Sequence, residues 1–429
     1  MEKVLIVGSA TSREYALVRE FSVSTRCEVS AYLWRDSYFI NELCTNYEVG
    51  DIRDVNRIIT FIKKVKPSFV LILQGEAIQT GIRNHLDLLN IPCIAPTKDQ
   101  SRLENSKSFC RKFIREINKD LVPRYKVFDL KNISELIDYV VDLKSKKVVL
   151  KFDGLINSRG VKIFDLSKDS KNSLYNQAKF WVNEANGKVI VEEYINGNEV
   201  SLMSLVDGSN IIHMPPVKNY KRIYDGDLGD NTSGIGSVTQ GNTESFLSKN
   251  DISKLEKINN LMFEKIKKDF PERYVGVLMG EFIITDENIK VIEYNTRFGN
   301  PSTINILNLL NTDFLEICKS MVDGTLNQLS IEWKNLASVS VSIVPKGYPY
   351  LKDNIGKKIN IKRLNKKDLD CVFFGSLIVD SKKDILLMDS RNLTVCVTGK
   401  KINDCVVKIK KILDKIQGPI YFRKDIGVF

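Results

Sequence analysis

Strand-length apolar runs alternate with helix-patterned segments through the first hundred residues, and a chain patterned that way is constrained to a parallel sheet wrapped by helices. Val4–Val7 is a short run of β-branched residues and leucine that enters a turn at Gly8. Ala16, Leu17 and Phe21 follow at helical spacing. Val29–Leu33 reads as a second strand, Val55–Val65 as a helix, Phe69–Leu73 as a buried strand, Ile82–Leu89 as a helix and Ile91–Ile94 as a strand. Parallel neighbours need a crossover, and a helix is the usual one. The pattern predicts a doubly wound α/β unit that ends at Pro96.

Beyond it the pattern becomes α+β. Ser101–Ile117 and Ile133–Leu143 are helical, Val148–Phe152 is a strand, Asp153–Gly160 a loop, and Val161–Phe164 and Val189–Val191 are strands flanking a helix. Asp225–Gly241 reads as long glycine-bearing loops. Strands near Val339–Val344, Val372–Ile378 and Leu393–Val397 precede a helix near 403–416. At roughly 150 residues per domain, 429 residues allow two or three domains.

Composition excludes several classes. Hydrophobic residues at 43% and charged residues at 27% describe a globular chain rather than a disordered one. No apolar run approaches the ~20 residues of a membrane span, and Met1–Gly8 reads as a strand rather than a signal peptide. Lys+Arg exceeds Asp+Glu by 64 to 53, a net +11. The lysines are spread and interleaved with acids, as in Lys401–Lys415, so the excess points away from nucleic acid and towards anionic small molecules, phosphates above all. The eight cysteines form no C-x-x-C pair, and only His85 and His213 are histidines. Zinc sites and Cys/His catalysis are therefore poor expectations. Scattered reduced thiols fit a cytoplasm. An enzyme built this way works with carboxylates, lysine, arginine and a metal.

The sharpest local signal runs from Gly280 to Asn295. Two β runs flank the turn Asp286-Glu287-Asn288, and a turn centred on residue 287 sets Glu281 opposite Glu293. Opposed like charges are unfavourable in a sheet unless a cation lies between them. Asn295 shares the face of Glu293. Two carboxylates and an amide oxygen are hard ligands suited to Mg²⁺ beside nucleotide phosphates. Arg297, two residues on, is placed to stabilise a transferring phosphoryl group.

Lys151 ends a strand and precedes a loop bounded by Gly154 and Gly160, a combination that can cover phosphates without being a P-loop. Glu192-Glu193 close another strand, where backbone groups can read an adenine edge and a carboxylate a ribose. Asp230–Gly236 is small, polar and able to wrap an anion, although surface loops of this kind are common.

In this order the pieces resemble an ATP-grasp enzyme of the phosphoribosylamine–glycine ligase (glycinamide ribonucleotide synthetase) family. The likeness runs from Val4–Gly8 with Arg13-Glu14, through Leu103–Lys107, Lys151–Leu155, Glu192–Tyr194, Lys221-Arg222, Asn231–Gly236 and Val291–Gly299, to Gly347-Tyr348-Pro349 and Arg423–Gly427. It implies a Rossmann-like N-terminal domain over 1–100. An ATP-grasp domain over 101–330 would follow, with a small lobe inserted at about 122–192, then a C-terminal α+β domain over 331–429. It also implies a reaction in which a carboxylate takes the γ-phosphoryl group of ATP and an amine displaces phosphate from the acyl phosphate. By motif, Lys107, Lys151, Arg159 and Gly160 belong to the ATP phosphates, Glu192, Glu193 and Ile195 to adenine, and Glu199 to ribose. Glu281, Glu293 and Asn295 belong to Mg²⁺ or Mn²⁺, and Arg297 and Lys221 to catalysis. Gly8, Ser9 and Glu76 fall on the side that receives phosphoribosylamine. Asn219, Arg222, Asn231, Thr232, Ser233, Gly234 and Asn300 complete the substrate set.

The departures concern substrate. The family's N-terminal glycine turn is one residue longer here and carries Ser9, Thr11 and Ser12, hydroxyls able to hold a phosphate at a helix N-terminus. Three family acids are replaced by Asn219, Asn300 and Ser302, near where the glycine ammonium would sit. Glu281 stands where the family has an uncharged residue. Three expectations therefore stand side by side. The first is the purine-biosynthetic ligase in divergent form. The second is a paralogue joining another carboxylate and amine in specialised metabolism. The third is a nucleotide-binding module without turnover, which would show a degraded metal site. In each, the partners are small molecules, the chain is a monomer or homodimer, and neither membrane nor nucleic acid is involved.

Overall fold

The computed structural model describes residues 1–155, 160–184, 187–241 and 246–428. Its N-terminal sheet is parallel throughout, in the order Asn46–Val49, Cys27–Leu33, Glu2–Gly8, Phe69–Ile72, Cys93–Ile94. The chain winds outward from Glu2–Gly8 in one direction and then returns to wind in the other. A crevice therefore opens beyond the carboxyl ends of Glu2–Gly8 and Phe69–Ile72, the place where such sheets receive ligands. Gly8–Ser12 and Gln74–Glu76 leave the sheet there. The helix Val55–Val65 has the expected bounds, and its buried stripe is Ile58, Phe61, Ile62 and Val65. The short strand Asn46–Val49 carries no apolar run and had no sequence signal.

A four-stranded antiparallel sheet follows, ordered Tyr125–Phe128, Val189–Glu193, Lys147–Phe152, Val161–Asp165. Leu136 and Val140 from one helix and Leu174, Ala178 and Val182 from another bury its Val148, Leu150 and Val191. Most of the remaining chain joins one large sheet. Its order is Ile289–Asn295, Val275–Ile284, Asn198–Asp207, Val217–Tyr224, Leu228–Gln240, Ala337–Pro345, Leu393–Gly399, Val372–Phe374.

Three expectations are corrected. Asp225–Gly241 is not loop: Leu228–Gln240 is a strand, paired with Val217–Tyr224 on one side and Ala337–Pro345 on the other. Gly229 and Gly234 adopt left-handed φ values of 77° and 97°, whereas Gly236 serves close packing. A Cβ on Gly236 would lie 2.3 Å from Ile426 Cδ1 and 2.7 Å from the Ser340 carbonyl oxygen. Ser101–Ile117 is two helices, Arg102–Asn105 and Lys107–Ile117, because the Ser106 hydroxyl caps the second by accepting from the Phe109 N–H at 3.3 Å. Val372–Ile378 is two strands in different sheets, broken where the Gly375 N–H donates to the Asn392 carbonyl.

The register of the Val275–Ile284 and Ile289–Asn295 hairpin is fixed from its far face. Tyr294 is buried, and its hydroxyl donates to Asn259 Oδ1 at 3.0 Å. The Asn259 amide donates in turn to Ser204 Oγ and the Leu202 carbonyl at 2.9 and 3.1 Å. Strand side chains alternate, so Tyr294 on one face puts Glu293 and Asn295 on the other. Tyr294→Phe leaves Asn259 Oδ1 buried without that donor. Urea unfolding should show a loss of about 1–3 kcal/mol.

Candidate active site

The expected opposition of the two glutamates is present, reached through a bulge. Glu281 pairs with Glu293 and Met279 with Asn295, while the turn-proximal half slips by one residue at a bulge after Glu281. Glu281 is 4% exposed. The cation beside it is Lys221, from the neighbouring sheet region, with Nζ 3.2 Å from Glu281 and 3.6 Å from Glu199. Burial raises the Glu281 pKa; Lys221 opposes that, and Glu293 and Glu199 add to it. Burial acts the same way on Glu293, but Lys221, Lys107, Lys151 and Arg111 outweigh it and hold Glu293 below its ordinary value. Burial works against the charge of Lys221, yet Glu281, Glu199 and Glu293 raise its pKa.

A second buried cluster adjoins the first. Glu192, closing the strand Val189–Glu193, accepts from Lys151 Nζ at 2.7 Å and from Arg111 at 2.5 and 2.9 Å. Arg111 also donates to the carbonyls of Val291 and Ile292, and Lys151 reaches the Ile292 carbonyl at 3.4 Å. Burial works against the carboxylate, but Arg111 and Lys151 prevail and hold its pKa down to about 2. The Glu192 side chain is thus committed to two cations, and what this strand end offers an adenine edge is backbone. Glu193 is tied to Arg124 at 2.8 Å, and Ile195 lies in the connection to Asn198–Asp207.

The phosphate loop is anchored at its base. Lys107 Nζ donates to the Gly154 carbonyl at 3.0 Å, and the Ser108 N–H donates to Asp153 at 3.0 Å. The Gly160 carbonyl accepts from the Phe152 N–H at 2.7 Å. Arg159 lies outside the described residues.

Three arginines from distant parts of the chain meet the segment Phe298–Asn300. Arg13 and Arg297 both donate to the Phe298 carbonyl, at 2.8 and 3.3 Å, and Arg391 donates to the Asn300 carbonyl at 2.9 Å. Arg297 is held by Glu104 at 2.9 Å, and Arg13 by Glu14 at 2.6 Å. Arg391 also takes the carbonyls of Ser233 and Gly234, at 2.7 and 3.1 Å. Its pKa is pushed down to about 10 by burial and by Arg13 and Arg297, against Tyr348 and Glu14. The buried Nε atoms of Arg13 and Arg391 have no hydrogen-bond partner among the described residues. Arg13 and Arg297 each have a carboxylate partner, whereas the hydrogen bonds of Arg391 go to backbone carbonyls, so among the described residues Arg391 is the guanidinium of this group without an ion pair.

The remaining predicted residues surround these clusters. A Cβ on Gly8 would lie 2.7 Å from the Glu14 side chain, and the Ser9 N–H donates to Glu14 at 3.4 Å. The expected hydroxyl cradle is already engaged: Thr11 donates to Glu14, and Ser12 accepts from Thr394 at 3.1 Å. Glu76 sits in the short helix Gly75–Ile78, where its charge bears on Arg297. Asn219 donates to Ser201 Oγ at 2.8 Å, and Arg222 to the Gly229 carbonyl at 2.7 Å. Asn231 pairs with Arg222 across the strands, and Thr232 donates to the Lys221 carbonyl at 2.8 Å. Asn300 donates to Thr11 Oγ1 at 3.0 Å.

Sequence reasoning missed Arg111, Glu104 and Arg391 as site residues. Arg111 left a signal, since it lies on the apolar stripe of its helix with Cys110, Phe113 and Ile114. Glu104 lay within the likeness at Leu103–Lys107 without being given a role, and Arg391 left no signal, because its partners are up to 158 residues away.

α+β lobes that bring together paired carboxylates, lysines and arginines are those of an ATP-grasp ligase, an enzyme that makes a C–N bond with ATP. Family models match the phosphoribosylglycinamide synthetase N domain over residues 2–104 and its ATP-grasp domain over 105–303. Phosphoribosylamine–glycine ligase of Methanocella arvoryzae is 31% identical, covering 99% of this chain and 96% of that one. The Pyrococcus furiosus ligase is 30% identical over 100% and 94%. The crystal structure of phosphoribosylamine–glycine ligase from Thermotoga maritima superposes with a TM-score of 0.81 at 25% identity, covering 99% and 100% of the chains. The chain belongs to the phosphoribosylglycinamide synthetase family.

The Glu192 cluster yields a stability prediction. A carboxylate depressed from 4.5 to about 2 stabilises the fold fully above pH 4.5, and that contribution fades as pH falls towards 2. Glu192→Gln should cost about 3 kcal/mol at neutral pH. In urea titrations from pH 6.5 to 3, its deficit against wild type should shrink as the pH drops below 4.5.

Proposed function

We propose that the chain joins glycine to 5-phosphoribosylamine, with ATP hydrolysed to ADP and phosphate. The observation that carries this reading is the convergence of Arg13, Arg297 and Arg391 on one short segment beside the carboxylate pair. It provides for a phosphorylated amine next to a phosphoryl-transfer centre. The names of the full-length relatives favour this reading over a paralogue with other substrates.

Glycine's carboxylate takes the γ-phosphoryl group to give an acyl phosphate, and the amine attacks its carbonyl carbon as phosphate leaves. Arg297, held in place by Glu104, stabilises charge on the transferring phosphoryl and then on the acyl phosphate. Lys107 and Lys151 contact the nucleotide phosphates, with Arg159 and Gly160 in the covering loop, and Lys221 bears on the developing charge. The backbone after Glu192 and Glu193, with Ile195, frames adenine, and Glu199 takes ribose. Glu281, Glu293 and Asn295 are a hard donor set that fits Mg²⁺, providing three oxygen ligands and leaving the others to phosphates and water. Bound there, the ion supplies charge neutralisation for the transferring group. Arg391 and Arg13 hold the phosphate of the amine substrate, with Gly8, Ser9 and Glu76 along the ribose. Asn219, Arg222, Asn231, Thr232, Ser233, Gly234 and Asn300 shape the glycine side. The Asn219 and Asn300 amides are tied to Ser201 and Thr11, so no carboxylate stands at those two positions.

We take 1–100, 101–330 with the lobe at about 122–192, and 331–429 as the working units, in a monomer or homodimer. The eight cysteines are free, which fits a reducing cytoplasm. No helix among the described residues is long and apolar enough to cross a membrane.

The test is ADP release with phosphoribosylamine generated in situ from ribose 5-phosphate and ammonia. Glycine should support turnover and give the amide by mass. ADP release with a non-amino carboxylate but none with glycine overturns the assignment. Glu293→Ala should lower kcat by about 10²-fold or more. Arg391→Ala should raise KM for the amine about 10- to 100-fold, the loss of a charge-assisted contact, while KM for ATP stays within about threefold.

A further inference from the structure

Three glutamates, Glu199, Glu281 and Glu293, bear on a single lysine, and that lysine stands where a divalent ion is needed. Lys221 Nζ is 3.2 Å from Glu281 and 3.6 Å from Glu199, and Glu293, directly opposite Glu281, adds to the attraction. We propose that Lys221 is a placeholder cation: it closes the metal site to free divalent ions, so that the protein takes its metal together with nucleotide phosphates. The proposal rests on Glu281 and Glu293 being the metal carboxylates.

The argument is one of charge and space. Directly opposed glutamates on neighbouring strands, one of them almost fully buried, do not persist without a counter-cation. In the free protein Lys221 fills that need at ion-pair distance from Glu281. A free divalent ion entering the site must either displace that ammonium or share carboxylates with it, and two cations on the same oxygens repel. Nucleotide phosphates change the balance. They bring negative charge to the same spot, so Lys221 can move to a phosphate oxygen as the metal takes Glu281 and Glu293. The lysine is equipped for this. Its stem has four carbons, and its ammonium is a point charge that suits either carboxylate or phosphate. Its backbone is held where the side chain is not, because the Lys221 carbonyl accepts from Thr232 Oγ1 at 2.8 Å and Tyr220 beside it is buried. The cost of binding free metal thus falls on a side-chain swing rather than on the sheet.

Lys221 would then be a specificity determinant, distinguishing the metal–nucleotide complex from free metal. The companion cluster is built differently. Lys151 and Arg111 both clamp Glu192, and Arg111 is further locked to two carbonyls, so neither cation is as free to leave. Of these three cations, Lys221 is the one that combines a long, flexible stem with partners that, among the described residues, are carboxylates alone.

The probe is Mn²⁺, read by the loss of the free-ion electron paramagnetic resonance signal on the full-length protein, without reference to turnover. Without nucleotide, wild type should bind Mn²⁺ weakly, and Lys221→Met should bind it at least tenfold tighter. That gain should disappear when Glu281→Gln is added. With the β,γ-methylene analogue of ATP, wild type should bind Mn²⁺ tightly. Equal Mn²⁺ affinity of wild type and Lys221→Met without nucleotide overturns the placeholder role alone, provided analogue-dependent binding is intact. No Mn²⁺ binding to wild type even with the analogue overturns the metal assignment, and this proposal with it. Should Lys221→Met not fold, wild type decides: tight Mn²⁺ binding without nucleotide overturns the proposal, and weak binding that the analogue strengthens supports it.

Discussion

Two carboxylates set face to face in a sheet have to be compensated, and much of this molecule is arranged around that requirement. Coulomb repulsion between unit charges a few ångströms apart is several times stronger in a protein interior than in water. Glu281 is nearly as buried as a core leucine, so the charge opposite it cannot be left to solvent. Lys221 answers from one side of the pair. From the other side, Lys107, Lys151 and Arg111 bear on Glu293. These four cations come from three elements, so satisfying one hairpin draws together the helix Lys107–Ile117, which carries Lys107 and Arg111, the strand Lys147–Phe152 and the strand Val217–Tyr224.

The same requirement explains why the polar clusters interlock rather than standing apart. Arg111 cannot be spared to neutralise Glu293 outright, because Glu192 holds it bidentately. Glu192 in turn neutralises Lys151, which would otherwise be an uncompensated buried ammonium. Fixing both cations on Glu192 leaves Glu293 attracted by them but without an ion pair among the described residues. That is the electrostatic state expected of a ligand awaiting a hard cation. The second cluster therefore preorganises the first.

Local pattern carried much of the fold. The parallel sheet was legible because β-branched runs and helical stripes alternate at short range; the Glu281–Glu293 pairing was expected from a turn centred on residue 287, but the strands reach it through a bulge after Glu281 that the sequence did not signal. The strand Leu228–Gln240 was not legible. Its glycines look like turn residues in sequence, and only the approach of Ile426 and Ser340 shows that Gly236 is there to admit neighbours. Nor was Arg391 legible as a site residue, since its role exists only once Ser233 and Asn300, far away in sequence, are beside it. The family likeness placed the motifs in order. It did not show that the Glu192 side chain is spent on Lys151 and Arg111, or that Lys221 sits at the carboxylate pair.

The large sheet ties these local facts into one site. Strands Leu228–Gln240 and Ala337–Pro345 pair through Gly236–Gln240, so the sheet that carries Glu281 and Glu293 continues without a break into the C-terminal part. Arg391 is borne by the turn before Leu393–Gly399, the next strand along, and Arg13 by the helix that follows the first strand of the N-terminal sheet. A hinge between these pieces would separate the arginines and expose Phe298–Asn300. Continuous backbone pairing prevents that on one flank, and Arg13 bonded to the Phe298 carbonyl closes the other. By contrast, among the described residues the small sheet that carries Lys151 shares no strand pairing with the large one. It meets the large sheet through side chains, among them Arg111 and Lys151 at the carbonyls of Val291 and Ile292. Charge pairs can loosen and reform where a continuous sheet cannot. The Lys151 side of the cluster is thus built to adjust, and the side held by Arg13 and Arg391 to stay fixed.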